Sequence, residues 1–158
     1  MAKILVAYYT QSGNTKGMAE VVADGAKSAG GEVTVKEMEH VIPQDLLKFD
    51  GIILGTPTYY GLMAAPIKEL LDQSVQYHGQ LAGKVGGAFA SSANIGGGNE
   101  TAILSILHAL LIHGMIIQGS ATGDHYGPVS INAPDERVKR QCQGLGRRVA
   151  ELAIKLFG

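Results

Sequence analysis

Short apolar runs alternate along this chain with segments whose apolar residues recur every three or four positions. Ile4-Leu5-Val6-Ala7-Tyr8 shows no polar alternation, which predicts a strand covered on both faces. Met18, Val21, Val22, Ala26 and Ala29 then follow at helical spacing, and Gly30-Gly31 is expected to stop that helix. Val33-Thr34-Val35 sits among charged residues and reads as an edge strand, whereas Gly51 to Gly55 reads as a second buried one. A weak helix or turn is expected between Pro43 and Lys48. Pro66 should open a helix at its first position, with Ile67, Leu70, Leu71 and Val75 along one face. Val85 to Ala90 predicts a strand in which Gly86-Gly87 admits a close neighbour. Glu100 to His113 predicts a helix closed by Gly114, and Met115-Ile116-Ile117 the last strand. A loop from Gly119 to about Ala133 then leads to a final helix started by Pro134 or Asp135.

Strands alternating with helices imply a parallel sheet with right-handed crossovers. No linker, repeat or low-complexity tract interrupts the pattern, so residues 1–158 are expected to form one doubly wound α/β domain. Its sheet should have five parallel strands with helices on both faces, a three-layer sandwich.

Composition narrows the classes of function. With 46% hydrophobic and 17% charged residues the chain is ordinary for a globular protein. The formal net charge of -1 gives no support to nucleic-acid binding. Neither a signal peptide nor a membrane span is expected, since the richest apolar stretch, Ala102 to Ile112, is broken by Ser105 and His108. The lone Cys142 permits no internal disulfide and fits a reducing cytoplasm.

The chemistry concentrates where predicted strands end. In doubly wound sheets ligands sit beyond the carboxyl ends of the strands, near the reversal of strand order. The first strand runs into Thr10-Gln11-Ser12-Gly13-Asn14-Thr15 and then directly into a helix, which supplies three more polar groups than one cap requires. A helix N-terminus favours an anion, Thr10, Ser12 and Thr15 add hydroxyls, and Gly13 admits close approach. The stretch is neither a G-x-x-x-x-G-K-[ST] nor a G-x-G-x-x-G motif, so a terminal monophosphate held by neutral donors without a metal fits it. The competing reading makes Ser12 or Asn14 a plain helix cap. After the third strand comes GTPTYYGLMAAP and after the fourth SSANIGGGNE. The first offers an aromatic wall and the second offers backbone donors to a flat polar ring. A phosphoacceptor site would need acidic residues after the first and third strands, where the chain has Tyr8-Tyr9-Thr10 and Gly55-Thr56-Pro57. No C-x-x-C and no Gly-x-Ser-x-Gly elbow occurs.

These three segments together resemble the flavodoxin-like FMN-binding family, and in particular short WrbA-type NAD(P)H:quinone oxidoreductases. The resemblance spans almost the whole chain, including Tyr126-Gly127 in the late loop. It implies that residues 10 to 15 hold the FMN phosphate. Pro57, Thr58, Tyr59, Tyr60 and Gly61 would border the isoalloxazine, with Tyr60 as the ring-side aromatic. Ser92, Ala93, Asn94, Ile95, Gly96 and Gly97 would line the ribityl chain and pyrimidine edge, and Tyr126 would complete the ring pocket. Of the histidine pair those reductases carry, His113 matches only the second member, and Ile112 stands where the flavin-edge histidine would be. The chain is also shorter than those enzymes between Glu39 and Gln44 and around Ala121 to Tyr126.

Two functions survive. The first is an FMN enzyme taking hydride from NAD(P)H and passing two electrons to a quinone, with no catalytic side chain strictly required. The second is a carrier moving single electrons between partner proteins. Balanced charge, 13 basic against 14 acidic residues with no acidic cluster evident beside the three loops, favours the enzyme. So does the helix Ile103 to Ile112, whose Leu104 and Leu111 extend the apolar face beyond one core contact and predict a homo-oligomer, dimer or tetramer. The basic residues Arg137, Lys139, Arg140, Arg147 and Arg148 read as a solvated helix face, or else a site for the NADPH phosphate, and Cys142 as inert core.

Overall fold

The computed structural model describes residues 1–158. Strands β1 (Lys3–Tyr8), β2 (Glu32–Glu37), β3 (Gly51–Pro57), β4 (Val85–Ser92), β5 (Ile116–Ile117) and β6 (Val129–Ile131) pair in parallel. Helices α1 (Asn14–Ser28), α2 (Ala65–Gln73), α3 (Asn99–Ile112) and α4 (Glu136–Phe157) cross between them. The strand order is β2-β1-β3-β4-β5, so the order reverses between β1 and β3. The carboxyl ends of those two strands are therefore the rim where such a sheet holds ligands.

Successive side chains of a strand face opposite ways, and the core divides accordingly. Ile4, Val6 and Tyr8 of β1, Ile53 of β3 and Phe89 of β4 pack against α1 and α4. Leu5, Ala7, Ile52, Leu54, Ala88 and Ala90 pack against α2 and α3. Gly86 and Gly87 take up opposite sides of this arrangement. A Cβ on Gly86 would lie 3.0 Å from Leu110 of α3, and one on Gly87 would lie 3.0 Å from Leu145 of α4. The glycine pair lets both helices settle onto β4.

The edge strand departs from expectation. A strand at residues 115–117 followed by plain loop was predicted; instead the fifth position is filled by two pieces. Ile116–Ile117 pairs with Val85–Gly86, and Val129–Ile131 pairs with Ala90–Ser92. The excursion between them, residues 118–128, is clipped to α4 through Asp124. Its Oδ1 accepts from Arg137 at 2.8 Å, its Oδ2 accepts from Val129 N–H at 3.0 Å, and its own N–H donates to Gln141 Oε1 at 3.1 Å. Arg137 is thus a latch rather than part of a purely solvated face.

Two smaller expectations, both for helix α2, also need correction. Helix α2 starts at Ala65, which makes Pro66 its second residue, and it ends at Gln73. Ser74–Tyr77 is a tighter 3-10 turn that rotates Val75 off the apolar stripe, leaving it 70% exposed. The segment Pro43–Lys48, expected as a weak helix or turn, is a 3-10 turn held by Asp45. Burial alone would raise the Asp45 pKa, but Lys48 at 2.8 Å and Lys36 at 3.1 Å hold it below the usual carboxylate range. Cys142 is fully buried, and burial pushes its thiol up to about 12, which leaves it inert.

Candidate functional site

Helix α1 begins without a side-chain cap. Gly13 occupies the N-cap position in the left-handed region at φ +94°, and no side chain accepts from the first turn. The first main-chain bond runs from Gly17 N–H to Gly13 C=O at 3.0 Å, so the N–H groups of Asn14, Thr15 and Lys16 have no helical acceptor. Helix α4 shows the contrast: its N-cap Asp135 accepts from Val138 N–H at 2.8 Å. The reading of Ser12 or Asn14 as a plain cap is therefore overturned. Thr10 shapes the turn, its Oγ1 accepting from Gly13 N–H at 3.1 Å. Thr15 is a strut rather than a free hydroxyl, since it is buried with its Oγ1 2.9 Å from Ser91 Oγ.

In front of this uncapped terminus lies a cavity of about 310 Å³. Gln11, Ser12 and Asn14 line it from the first loop, Pro57, Thr58 and Tyr59 from the second, and Ser91, Ser92 and Ala93 from the end of β4. Three segments far apart in sequence thus share one hollow at the switch point. Thr58 Oγ1 is buried and has no hydrogen-bond partner, an orphan polar group of the kind that marks a ligand site. Tyr59 Oη donates to Gln11 Oε1 at 2.5 Å and bridges the first two loops across the opening. Burial, followed by nearby Tyr9, raises the Tyr59 phenol pKa above its ordinary value and keeps it a donor.

The second loop turns back on itself in two residues. Tyr59 and Leu62 exchange both main-chain bonds at 3.1 Å, and Tyr60 and Gly61 between them have φ +52° and +76°. Positive φ at both central positions is the type I′ geometry, in which tyrosine is an unusual first residue. The strained turn throws the Tyr60 ring fully into solvent. Gly61 meets the third loop: its C=O accepts from Thr101 Oγ1 at 2.6 Å, and Gly98 packs against its Cα. In that third loop Asn94 Nδ2 donates to Ile95 C=O at 3.1 Å, and Gly97 N–H donates to Asn94 C=O at 3.2 Å. With Gly96 at φ +70°, this winding leaves Ile95 87% exposed. Tyr60, Ile95 and Tyr126 are all exposed, and none of them lines the cavity itself.

Several placements were not foreseen. Asn132, at φ +58°, reaches the cavity because its N–H donates to Ser92 C=O at 2.8 Å as the β4–β6 ladder continues. Ser91 also lines the cavity, one residue before the predicted stretch. Tyr126 borders a separate hollow with His125 and Glu100. His113 lies at the opposite edge of the sheet, where α3 ends beside the start of β4. Its Nε2 is 2.7 Å from Ser74 Oγ, and burial together with His78 lowers its pKa. Beside the first loop, Glu37, Glu39 and Glu69 line adjoining grooves with Tyr9, so acidic groups separated in sequence do gather near the rim. The expectation of no acidic cluster is corrected accordingly.

The geometry offers main-chain donors at a helix end for an anion, small polar walls for a chain, and apolar faces for a ring. The profile of the family described as Flavodoxin matches residues 6–155. A flavodoxin of Aquifex aeolicus is 42% identical over 96% of this chain and 86% of the relative. An NAD(P)H dehydrogenase (quinone) of Archaeoglobus fulgidus is 35% identical over 99% of this chain and the whole of that protein. Among solved structures, the flavodoxin, WrbA-like protein from Agrobacterium tumefaciens superposes with a TM-score of 0.83 at 25% identity, covering 98% of this chain and 99% of that one. A flavodoxin from the domain Archaea gives 0.80 at 28% identity, covering 96% and 99%. With its uncapped helix, its switch-point cavity and these relatives, this chain belongs to the flavodoxin family, close to its WrbA-type members.

Proposed function

We infer that the chain is an FMN-dependent NAD(P)H:quinone oxidoreductase. The observation that carries the cofactor is the cavity itself, where an uncapped α1 terminus and the orphan Thr58 hydroxyl meet. Flavodoxin is the standard example of a 2-1-3-4-5 sheet with FMN at its β1/β3 switch point, so the placement follows the family rule. The N–H groups of residues 14 to 16 and the Ser12 hydroxyl receive the phosphate. Thr58, Ser92, Ala93 and Asn132 line the ribityl path, while Asn94, Gly96 and Gly97 give the third loop its backbone shape. Pro57, Tyr59, Tyr60, Gly61, Ile95 and Tyr126 enclose the ring. When bound, FMN supplies the hydride and electron chemistry; the protein holds it, excludes water from its faces and orients it.

The reductase reading rests on full-length relatives named NAD(P)H dehydrogenase (quinone), at 34–36% identity. A carrier of single electrons is the second reading, favoured by the relative named flavodoxin and by the glutamates beside the first loop. The exposed face of α3 supports a homo-oligomer: Leu111 is exposed, and Ile112, 74% exposed, lines one groove with the exposed Val75. No helix is long and apolar enough to cross a membrane. We place the protein in the cytoplasm as a single domain with an unpaired thiol. Anaerobic titration of the FMN-loaded protein with NADH and with NADPH tests the activity. One equivalent of at least one nucleotide should bleach the flavin band fully, and benzoquinone should restore it within mixing time. Bleaching by dithionite alone, with neither nucleotide oxidised, would leave the carrier.

A further inference from the structure

The excursion 118–128 holds a histidine in one defined tautomer. His125 Nδ1 lies 2.7 Å from the Ser120 carbonyl oxygen, which can only accept, so Nδ1 carries the proton. In the neutral ring Nε2 is then a bare acceptor, and in the protonated ring it is a donor. Ser120 N–H returns a bond to His125 C=O at 3.0 Å, and the Asp124 latch to Arg137 and Gln141 fixes the neighbouring backbone. His125 is exposed and borders a hollow of about 120 Å³ with Tyr126 and Glu100. Glu100 is in the first turn of α3, whose Thr101 bonds Gly61 of the second loop. Glu100 thus stands one residue from the contact that ties α3 to Gly61, which the proposed function assigns to the ring side.

We propose that His125 is a catalytic residue of the acceptor half-reaction: its imidazolium Nε2–H binds a quinone carbonyl oxygen and gives it a proton. This rests on the reductase reading. Reduction of a quinone to a hydroquinone places a hydride, drawn from NAD(P)H by way of the flavin, on one carbonyl oxygen and a proton on the other. The ring π electrons reorganise to leave two C–O single bonds. The Nε2–H bond breaks as the new O–H bond forms, and hydronium from bulk water reprotonates the ring. Ser120 and Asp124 act as positioning residues, since they fix the tautomer and the loop. Positioned proton donors contribute about 10²- to 10⁴-fold to such steps. The acceptor class that needs His125 is therefore one that takes up a proton with its electrons.

Two acceptors separate that role from loop structure. Benzoquinone takes protons and ferricyanide takes only an electron. The variant H125N retains a side-chain N–H near the Nδ1 position, able to bond Ser120, and lacks Nε2. It should lower the ratio of benzoquinone to ferricyanide turnover about 100-fold. A wild-type ratio in H125N overturns the proposal and leaves the reductase reading intact. Wild-type protein that oxidises NAD(P)H with neither acceptor refutes that reading, and the proposal with it. A second readout is independent of turnover: in a ¹⁵N imidazole spectrum, neutral His125 should be protonated at Nδ1, and added hydroquinone should shift its Nε2 signal. A ring protonated at Nε2, or a signal that hydroquinone leaves unmoved, contradicts the assignment.

Discussion

Replacing Gly13 by valine should raise the dissociation constant for FMN at least about 100-fold, close to 2.7 kcal/mol. Two effects act in the same direction. Gly13 has φ +94°, where a β-branched residue is strained by roughly 1–3 kcal/mol, so the loop shifts from its present course. No protein atom lies within 4 Å of a Cβ built on Gly13, so that added carbon points into open space at the mouth of α1. In the proposed assignment the phosphate sits there, against the unpaired N–H groups of Asn14, Thr15 and Lys16. Because the position is exposed, the variant should keep its far-ultraviolet circular dichroism. Equilibrium titration of apoprotein with FMN, followed by flavin fluorescence, measures the loss. An affinity within threefold of wild type would remove the phosphate from this loop.

Replacing Gly146 by valine should destabilise the fold by about 4 kcal/mol. Helices α1 and α4 touch backbone to backbone. A Cβ on Gly146 would lie 1.9 Å from Val22 C=O, and a Cβ on Gly25 would lie 2.2 Å from Gln143 C=O. A glycine inside a helix costs about 1 kcal/mol relative to alanine, so propensity alone favours replacement. The clash decides the sign, because the obstructing atoms are main chain and cannot rotate away. The two helices must part, which opens the layer containing Met18, Val22, Leu145 and Val149. Urea unfolding should show a lower midpoint at unchanged m. A loss below about 1 kcal/mol would mean that the interface yields more easily than close packing allows.

Much of this architecture was legible in the sequence because it is written locally. A parallel strand buried on both faces has to be an unbroken apolar run, as Ile4 to Tyr8 and Gly51 to Gly55 are. Glycines and Asp135 mark helix ends at the positions observed. What escaped notice depends on partners distant in the chain. Val129-Ser130-Ile131 is too short and mixed to announce a strand; it becomes one because β4 offers an unpaired edge beyond the two residues of β5. Asn132 inherits its place in the cavity from that pairing, so no local signal could have found it. Glu37, Glu39 and Glu69 meet only once β2 lies beside β1 and α2 lies across them. The exposed Val75 has a local cause, the tightening to a 3-10 turn at Ser74, whose Oγ donates to Leu71 C=O at 2.6 Å.

The site divides along the same line. The first loop announces itself through surplus polar groups at a helix start, and Gly13 takes the left-handed conformation that only glycine adopts without strain. The role of Thr15 is misleading in sequence, because its hydroxyl turns inward to Ser91. Tyr60 looks like any aromatic until its positive φ shows that the chain accepts strain to hold the ring in solvent.

Titrating the apoprotein with FMN and following the flavin absorbance tests the central claim most directly. Saturation at one FMN per chain, with a shifted and structured flavin band, is the predicted result. A protein that shows no saturable spectral change under these conditions would contradict the assignment of the three converging loops.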